Sequence, residues 1–107
     1  MPVVWQCDGV HGNTVTAAAN KLKTRKFEDV MSECIKAIQI HRKNGTVLAG
    51  IHIEMTGQAT VTECTGGCIN ISEDMLTNNY ETYCDPRLNY SQSIEAAFVV
   101  AAELKAK

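Results

Sequence analysis

With 107 residues, 45% of them hydrophobic and 21% charged, the chain has the composition of a single globular domain with a modest core. A formal net charge of −2 supplies no basic field for nucleic acid, and no apolar run reaches the ~18 residues of a membrane span. Neither nucleic acid nor membrane is expected as a partner.

The first predicted element is "PVVWQC" at 2–7, a short β-branched and aromatic strand closed by Asp8-Gly9. The opening "MPVVWQCDG" carries no basic leader and no small-residue cleavage site, so no secretory signal is expected. Turn chemistry accounts for Asp8, Gly9 and Asn13 in "CDGVHGNT"; it does not by itself account for His11. A loop to Lys26 follows and holds the one local basic cluster, "KLKTRK" at 21–26. A helix is predicted from Phe27, with Phe27, Val30, Met31, Cys34, Ile38 and His41 on one face and Gly45 as its stop.

The second strand is "AGIHIEMTG" at 49–57, with Ile51, Ile53 and Met55 on one side and His52 and Glu54 on the other. "TGQATVTECTGG" at 56–67 reads either as a polar lining of amides and hydroxyls or as a glycine-rich surface loop; its glycines lack P-loop spacing. "NISED" at 70–74 predicts a short helix with Asn70 and Glu73 as a capping box, ended by the asparagines at 78–79. "YETYCD" at 80–85 is the third strand, ending at Asp85-Pro86. The last helix is expected from about Ser91 to Leu104, burying Ile94, Ala97, Phe98, Ala101 and Leu104.

Five cysteines at 7, 34, 64, 68 and 84 contain no Cys-x-x-Cys. Cys64 and Cys68 flank "TGG", yet a zinc ribbon needs a second ligand pair nearby and none is present, so reduced thiols in a cytosol-like compartment are expected.

Strand followed by helix, three times over, predicts an α/β fold of parallel strands with covering helices. His11 lies just past the first strand, Glu54 at the carboxyl end of the second and Asp85 at the carboxyl end of the third. In parallel α/β folds that edge gathers the ligand-binding loops. One imidazole and two carboxylates suit Mn²⁺, Co²⁺ or Zn²⁺. Each residue also has an ordinary reading: His11 and Asp85 as turn residues, Glu54 as the solvent side of a half-buried strand, Lys23 and Arg25 as surface charges.

The blocks "VVWQCDGVHGNT", "KTRKF", "GIHIEMTGQATVTECTGG" and "YETYCDPRLNYSQSIEAAF" resemble, in order, successive blocks of class II 3-deoxy-D-arabino-heptulosonate 7-phosphate (DAHP) synthase. The resemblance covers nearly the whole chain. It implies that residues 1–107 are a single partial domain, the last three βα units of a (β/α)8 barrel that needs about 250 residues in full. It implies metal ligation by His11, Glu54 and Asp85, a catalytic and substrate-facing role for Lys23, and substrate contact by Arg25. The implied reaction condenses phosphoenolpyruvate with erythrose 4-phosphate, the entry to the shikimate pathway, with Mn²⁺ or Co²⁺. The family's fourth ligand, a cysteine, and most of its phosphoenolpyruvate-binding cations belong to the amino-terminal part of the barrel; that part, or a homo-oligomer, is the expected partner. The implied compartment is the cytoplasm, or a plastid in a plant or alga with the transit peptide outside this chain.

The sequence also departs from the family. Its usual "CDPMHGN" here reads "CDGVHGN", and loss of the proline at Gly9 is expected to loosen the loop that aims His11. "VLAG" at 47–50 replaces a more glycine- and proline-rich approach to the second strand. The alternative to an enzyme portion is an inactive remnant or interaction module that pairs with full-length synthase.

Overall fold

The computed structural model describes residues 2–106. Strand β1 (Trp5–Asp8) leads through a 3-10 turn (His11–Asn13) to a hairpin of β2 (Thr14–Thr16) and β3 (Lys23–Arg25). Helix α1 (Phe27–Lys43), strand β4 (Leu48–His52), a 3-10 segment (Glu73–Asn78) and helix α2 (Tyr90–Lys105) complete the order.

β1 and β4 pair in parallel, with Cys7 opposite Ile51 and Asp8 opposite His52, and α1 makes the crossover between them. Parallel neighbours need such a crossover, and its helix covers one face of the pair. A third parallel position follows in order, where Met55 bridges Leu88. The Leu88 N–H donates to the Glu54 carbonyl at 3.0 Å, and the Thr56 N–H donates to the Leu88 carbonyl at 2.9 Å. The α/β character and the first parallel pair thus follow the reading of the chain.

The third strand does not form at 80–85. Thr82 Oγ1 donates to the Asp85 carbonyl at 2.7 Å and accepts from the Cys84 N–H at 3.2 Å, which closes this stretch into a turn. Pro86 has no N–H for a ladder, so pairing begins only at Leu88.

α1 buries Phe27, Val30, Met31, Cys34 and Ile38, the face its periodicity marks. Glu28 and Asp29 sit in its first turn and His41, Arg42 and Lys43 in its last, each sign at the end the helix dipole favours. Gly45 lies just beyond with φ +72°, a left-handed stop. α2 begins one residue earlier than expected, capped by Asn89, whose side chain accepts from the Gln92 N–H while Gln92 reaches back to the Asn89 N–H.

The buried face of α2 is not the expected one. Gln92 and Ala96 are buried, whereas Ile94, Phe98 and Leu104 are 44%, 73% and 59% exposed. The helix is apolar on more than one side, so periodicity alone does not choose which side meets α1. The 70–78 segment is also corrected: it is a 3-10 run capped by Ser72 rather than by Asn70, and Asn70 takes φ +55°.

The main core joins Val10, Phe27, Val30, Met31, Cys64, Leu88 and Ala96, with Ile53 and Val99 against it. A smaller cluster of Ala17, Ile71 and Leu76 supports the hairpin. Among the described residues no helix is long and apolar enough to cross a membrane.

Candidate metal centre

Where β1 ends, Asp8 caps its own turn. Its Oδ1 accepts from the Val10 N–H at 3.0 Å and the His11 N–H at 3.1 Å, and its Oδ2 lies 2.6 Å from His11 Nδ1. Desolvation pushes the Asp8 carboxyl up, but those hydrogen bonds outweigh it and hold the group down at about 2. Gly9 is required here for space. A Cβ at this position would stand 2.7 Å from Cys34 Sγ and 3.1 Å from the Val30 carbonyl of α1. The loop lies flat on the helix because residue 9 has no side chain, and the Asp8 carboxylate closes the turn through the Val10 and His11 N–H groups.

β4 and its extension carry Glu54 to the same end of the molecule. Glu54 Oε1 is 2.9 Å from His11 Nε2, and Oε2 is 3.3 Å from Arg25 Nη1. The turn before Leu88 brings in Asp85, whose Oδ1 is 3.2 Å from Lys23 Nζ. His11, Glu54 and Asp85 each present one ligand atom, and the three atoms lie within 4.8 Å of one another. Residues 43 and 31 positions apart along the chain therefore meet (54 − 11 and 85 − 54). An imidazole nitrogen and two carboxylate oxygens fit a divalent cation of intermediate hardness. Asp8, His11 and His52 form a second such group, and the His11 and His52 rings stack with centroids 5.7 Å apart. No cysteine joins either group among the described residues.

The hairpin, which the sequence reading took for plain loop, positions both basic residues. Thr14 stands opposite Arg25 in its register. Arg25 is 1% exposed: its Nε donates to Thr14 Oγ1 at 2.9 Å and its Nη1 to the Pro86 carbonyl at 2.7 Å. Its Nη2 is buried without a hydrogen-bond partner among the described residues. Lys23 is exposed, and the Tyr80 hydroxyl donates to its backbone carbonyl at 2.7 Å.

A further pair lies beside these residues. Glu63, in the stretch read as a glycine-rich loop, is fully buried and takes Arg87 Nε at 2.9 Å and Nη2 at 2.7 Å. The N–H groups of Arg87 and Glu81 also donate to this carboxylate. Arg87 lines a cleft of about 370 Å³ together with Glu54, Thr82, Tyr83 and Asp85. The sequence signal for Arg87 was its place in "CDPRLN"; Glu63 gave none, because "VTECT" has neither strand nor helix period.

A family profile described as the class-II DAHP synthetase family matches residues 1–101. The phospho-2-dehydro-3-deoxyheptonate aldolase of Neurospora crassa is 50% identical over 99 residues, which cover 92% of this chain and 20% of that protein. The Mycolicibacterium smegmatis protein named phospho-2-dehydro-3-deoxyheptonate aldolase AroG is 48% identical over 103 residues, covering 96% and 22%. The phospho-2-dehydro-3-deoxyheptonate aldolase of Streptomyces coelicolor is 50% identical over 99 residues, covering 92% and 22%. The chain spans about a fifth of the length of these curated relatives.

Proposed function

Because the chain belongs to the class-II DAHP synthetase family, we propose that it forms three βα units of a (β/α)8 barrel and supplies part of a DAHP synthase active site. The reaction is the condensation of phosphoenolpyruvate with erythrose 4-phosphate, which consumes one water and releases inorganic phosphate. The remaining barrel units, supplied by another segment or chain, are the partner. The observation that carries this reading is the convergence of His11, just past β1, Glu54, just past β4, and Asp85, in the turn before Leu88, with one ligand atom of each within 4.8 Å of the others.

His11 Nε2, Glu54 and Asp85 would hold a divalent ion, Mn²⁺ or Co²⁺, which when bound would supply Lewis acidity to the sugar aldehyde and make its carbon a better target for C3 of phosphoenolpyruvate. The chain's own groups bind and orient. The Lys23 ammonium, on an exposed side chain beside Asp85, neutralises a substrate phosphate or carboxylate. Arg25 fixes Glu54 from behind, its Nη1 3.3 Å from Glu54 Oε2.

The test joins this chain to the rest of a relative's barrel by co-expression and follows phosphate release with added Mn²⁺. Activity is expected only with both pieces. Glu54→Ala and Asp85→Ala are each expected to lower it by more than about a hundredfold, beyond the ~10–100-fold cost of changes outside the ligand shell. Phosphate release that survives both substitutions contradicts the reading. A stable complex without phosphate release favours the interaction-module alternative.

A further inference from the structure

We infer that Glu63 is a positioning residue: its buried carboxylate clasps both ends of the loop that carries Asp85, and so fixes where Asp85 meets His11 and Glu54. The inference rests on the metal-centre reading above in one respect, the role of Asp85; the clasp itself is made of contacts within the chain. Each Glu63 oxygen takes one main-chain and one guanidinium donor. Oε1 accepts from the Arg87 N–H and from Arg87 Nε, both at 2.9 Å. Oε2 accepts from the Glu81 N–H at 3.2 Å and from Arg87 Nη2 at 2.7 Å. An ion pair needs only the guanidinium. The two main-chain donors, one on each side of Asp85 in the sequence, tie the carboxylate to the loop.

The clasp stands on firm ground. The stretch "VTECT" at 61–65, which the sequence leaves open between a polar lining and a surface loop, is buried throughout. Thr24 Oγ1 donates to the Glu63 carbonyl at 2.8 Å, and the Thr65 N–H donates to the Arg25 carbonyl at 2.9 Å. From the cap of α2, Asn89 Nδ2 donates to the Val61 carbonyl at 3.0 Å. Glu63 is thus fastened to β3, the strand that presents Lys23 and Arg25. Within the loop, the Thr82 hydroxyl shapes the turn through the Asp85 carbonyl and the Cys84 N–H, without attaching it to the body of the protein. Glu63, at residues 81 and 87, and Arg25, at the Pro86 carbonyl, attach its main chain.

Glu63→Gln is the discriminating variant. It keeps the shape of the side chain but offers a single acceptor oxygen, and its –NH₂ group faces a donor, so one end of the loop is released.

Amide hydrogen exchange of the 107-residue chain, followed residue by residue by NMR, needs no metal. In the wild type the Glu81 and Arg87 N–H groups are expected to exchange at least about tenfold slower than the Tyr83 N–H, the weight of a hydrogen bond to a charged acceptor. In Glu63→Gln at least one of the two loses that protection, while amides in the middle of α1 keep theirs. Co²⁺ affinity, followed by its visible absorption, is expected to fall ~10–100-fold in Glu63→Gln. Made in an Asp85→Ala background, the same substitution is expected to change it by less than about twofold, because a residue acting through Asp85 has nothing left to act on. Wild-type Glu81 and Arg87 amides that exchange as fast as Tyr83 overturn the inference, whether or not the variant folds. So does a Glu63→Gln protein with wild-type protection, or one whose Co²⁺ loss is undiminished in the Asp85→Ala background. Co²⁺ affinity insensitive to both Glu54→Ala and Asp85→Ala ends the metal-centre reading instead, and the exchange rates then decide the clasp by themselves.

Discussion

Glu63 is a carboxylate withdrawn from water and matched by the Arg87 guanidinium through two parallel hydrogen bonds. Desolvation pushes its carboxyl up, but the hydrogen bonds and charge of Arg87 and the Glu81 N–H outweigh it, so the net shift is downward. A carboxyl whose folded pKa lies below its unfolded value contributes stability above the unfolded value of about 4.3, lost as pH falls through the folded pKa. Arg87→Ala leaves that charge buried without its partner and is expected to cost about 3–5 kcal/mol in urea unfolding at neutral pH. Protonation of the stranded Glu63 should relieve much of the loss, so variant and wild type converge in acid. A loss below about 1 kcal/mol at neutral pH would mean that Arg87 does not hold Glu63. At this scale the grouping was readable where chemistry repeats at equivalent places: His11, Glu54 and Asp85 lie near the carboxyl ends of three successive strand-like blocks of the sequence, and the fold brings them together. Glu63 was not readable, because nothing in "VTECT" marks a buried residue among glycines and threonines.

Among elements, the junction of β1 and α1 decides how firmly His11 is aimed. The missing side chain at Gly9 lets the loop rest on Cys34, a buried thiol that burial, the largest cause, pushes up to about 12. Gly9→Ala would place a methyl against the sulfur and the Val30 carbonyl, and overpacking of this kind costs about 1–3 kcal/mol. The double variant Gly9→Ala, Cys34→Ala removes the sulfur and should recover part of that loss, so a double-mutant cycle is expected to be non-additive. Strict additivity would show that the two residues do not touch. Sequence reading found α1 in full because its apolar stripe is narrow and its ends carry the right charges. It missed the hairpin, whose strands are only three residues each, too short for alternation to register. It chose the wrong face of α2 because alanines, Val99, Val100, Ile94 and Phe98 make that helix apolar nearly all round.

Among the described residues, β1–β4 is the one parallel strand pair, and a bridge at Met55 joins its extension to Leu88. Val47, Phe98 and Leu104 are exposed, and an apolar groove of about 420 Å³ runs between β4 and α2, lined by Ile51, Ile53, Val100 and Leu104. Open strand edges and an uncovered helix face are what neighbouring βα units cover in a closed barrel. The succession of strand and helix was legible because it is written in apolar blocks and turn residues. What covers the exposed face was not, because those side chains pack against nothing among the described residues. The central claim remains local: His11, Glu54 and Asp85 hold one divalent ion between them. Anomalous diffraction at the manganese edge, on crystals of the barrel reassembled from this chain and its complement and grown with Mn²⁺, tests it directly. A single peak in bonding contact with His11 Nε2 and one oxygen each of Glu54 and Asp85 is predicted. A peak between Asp8 and His52, or a Mn²⁺-saturated active protein with no peak among those three residues, would contradict the account.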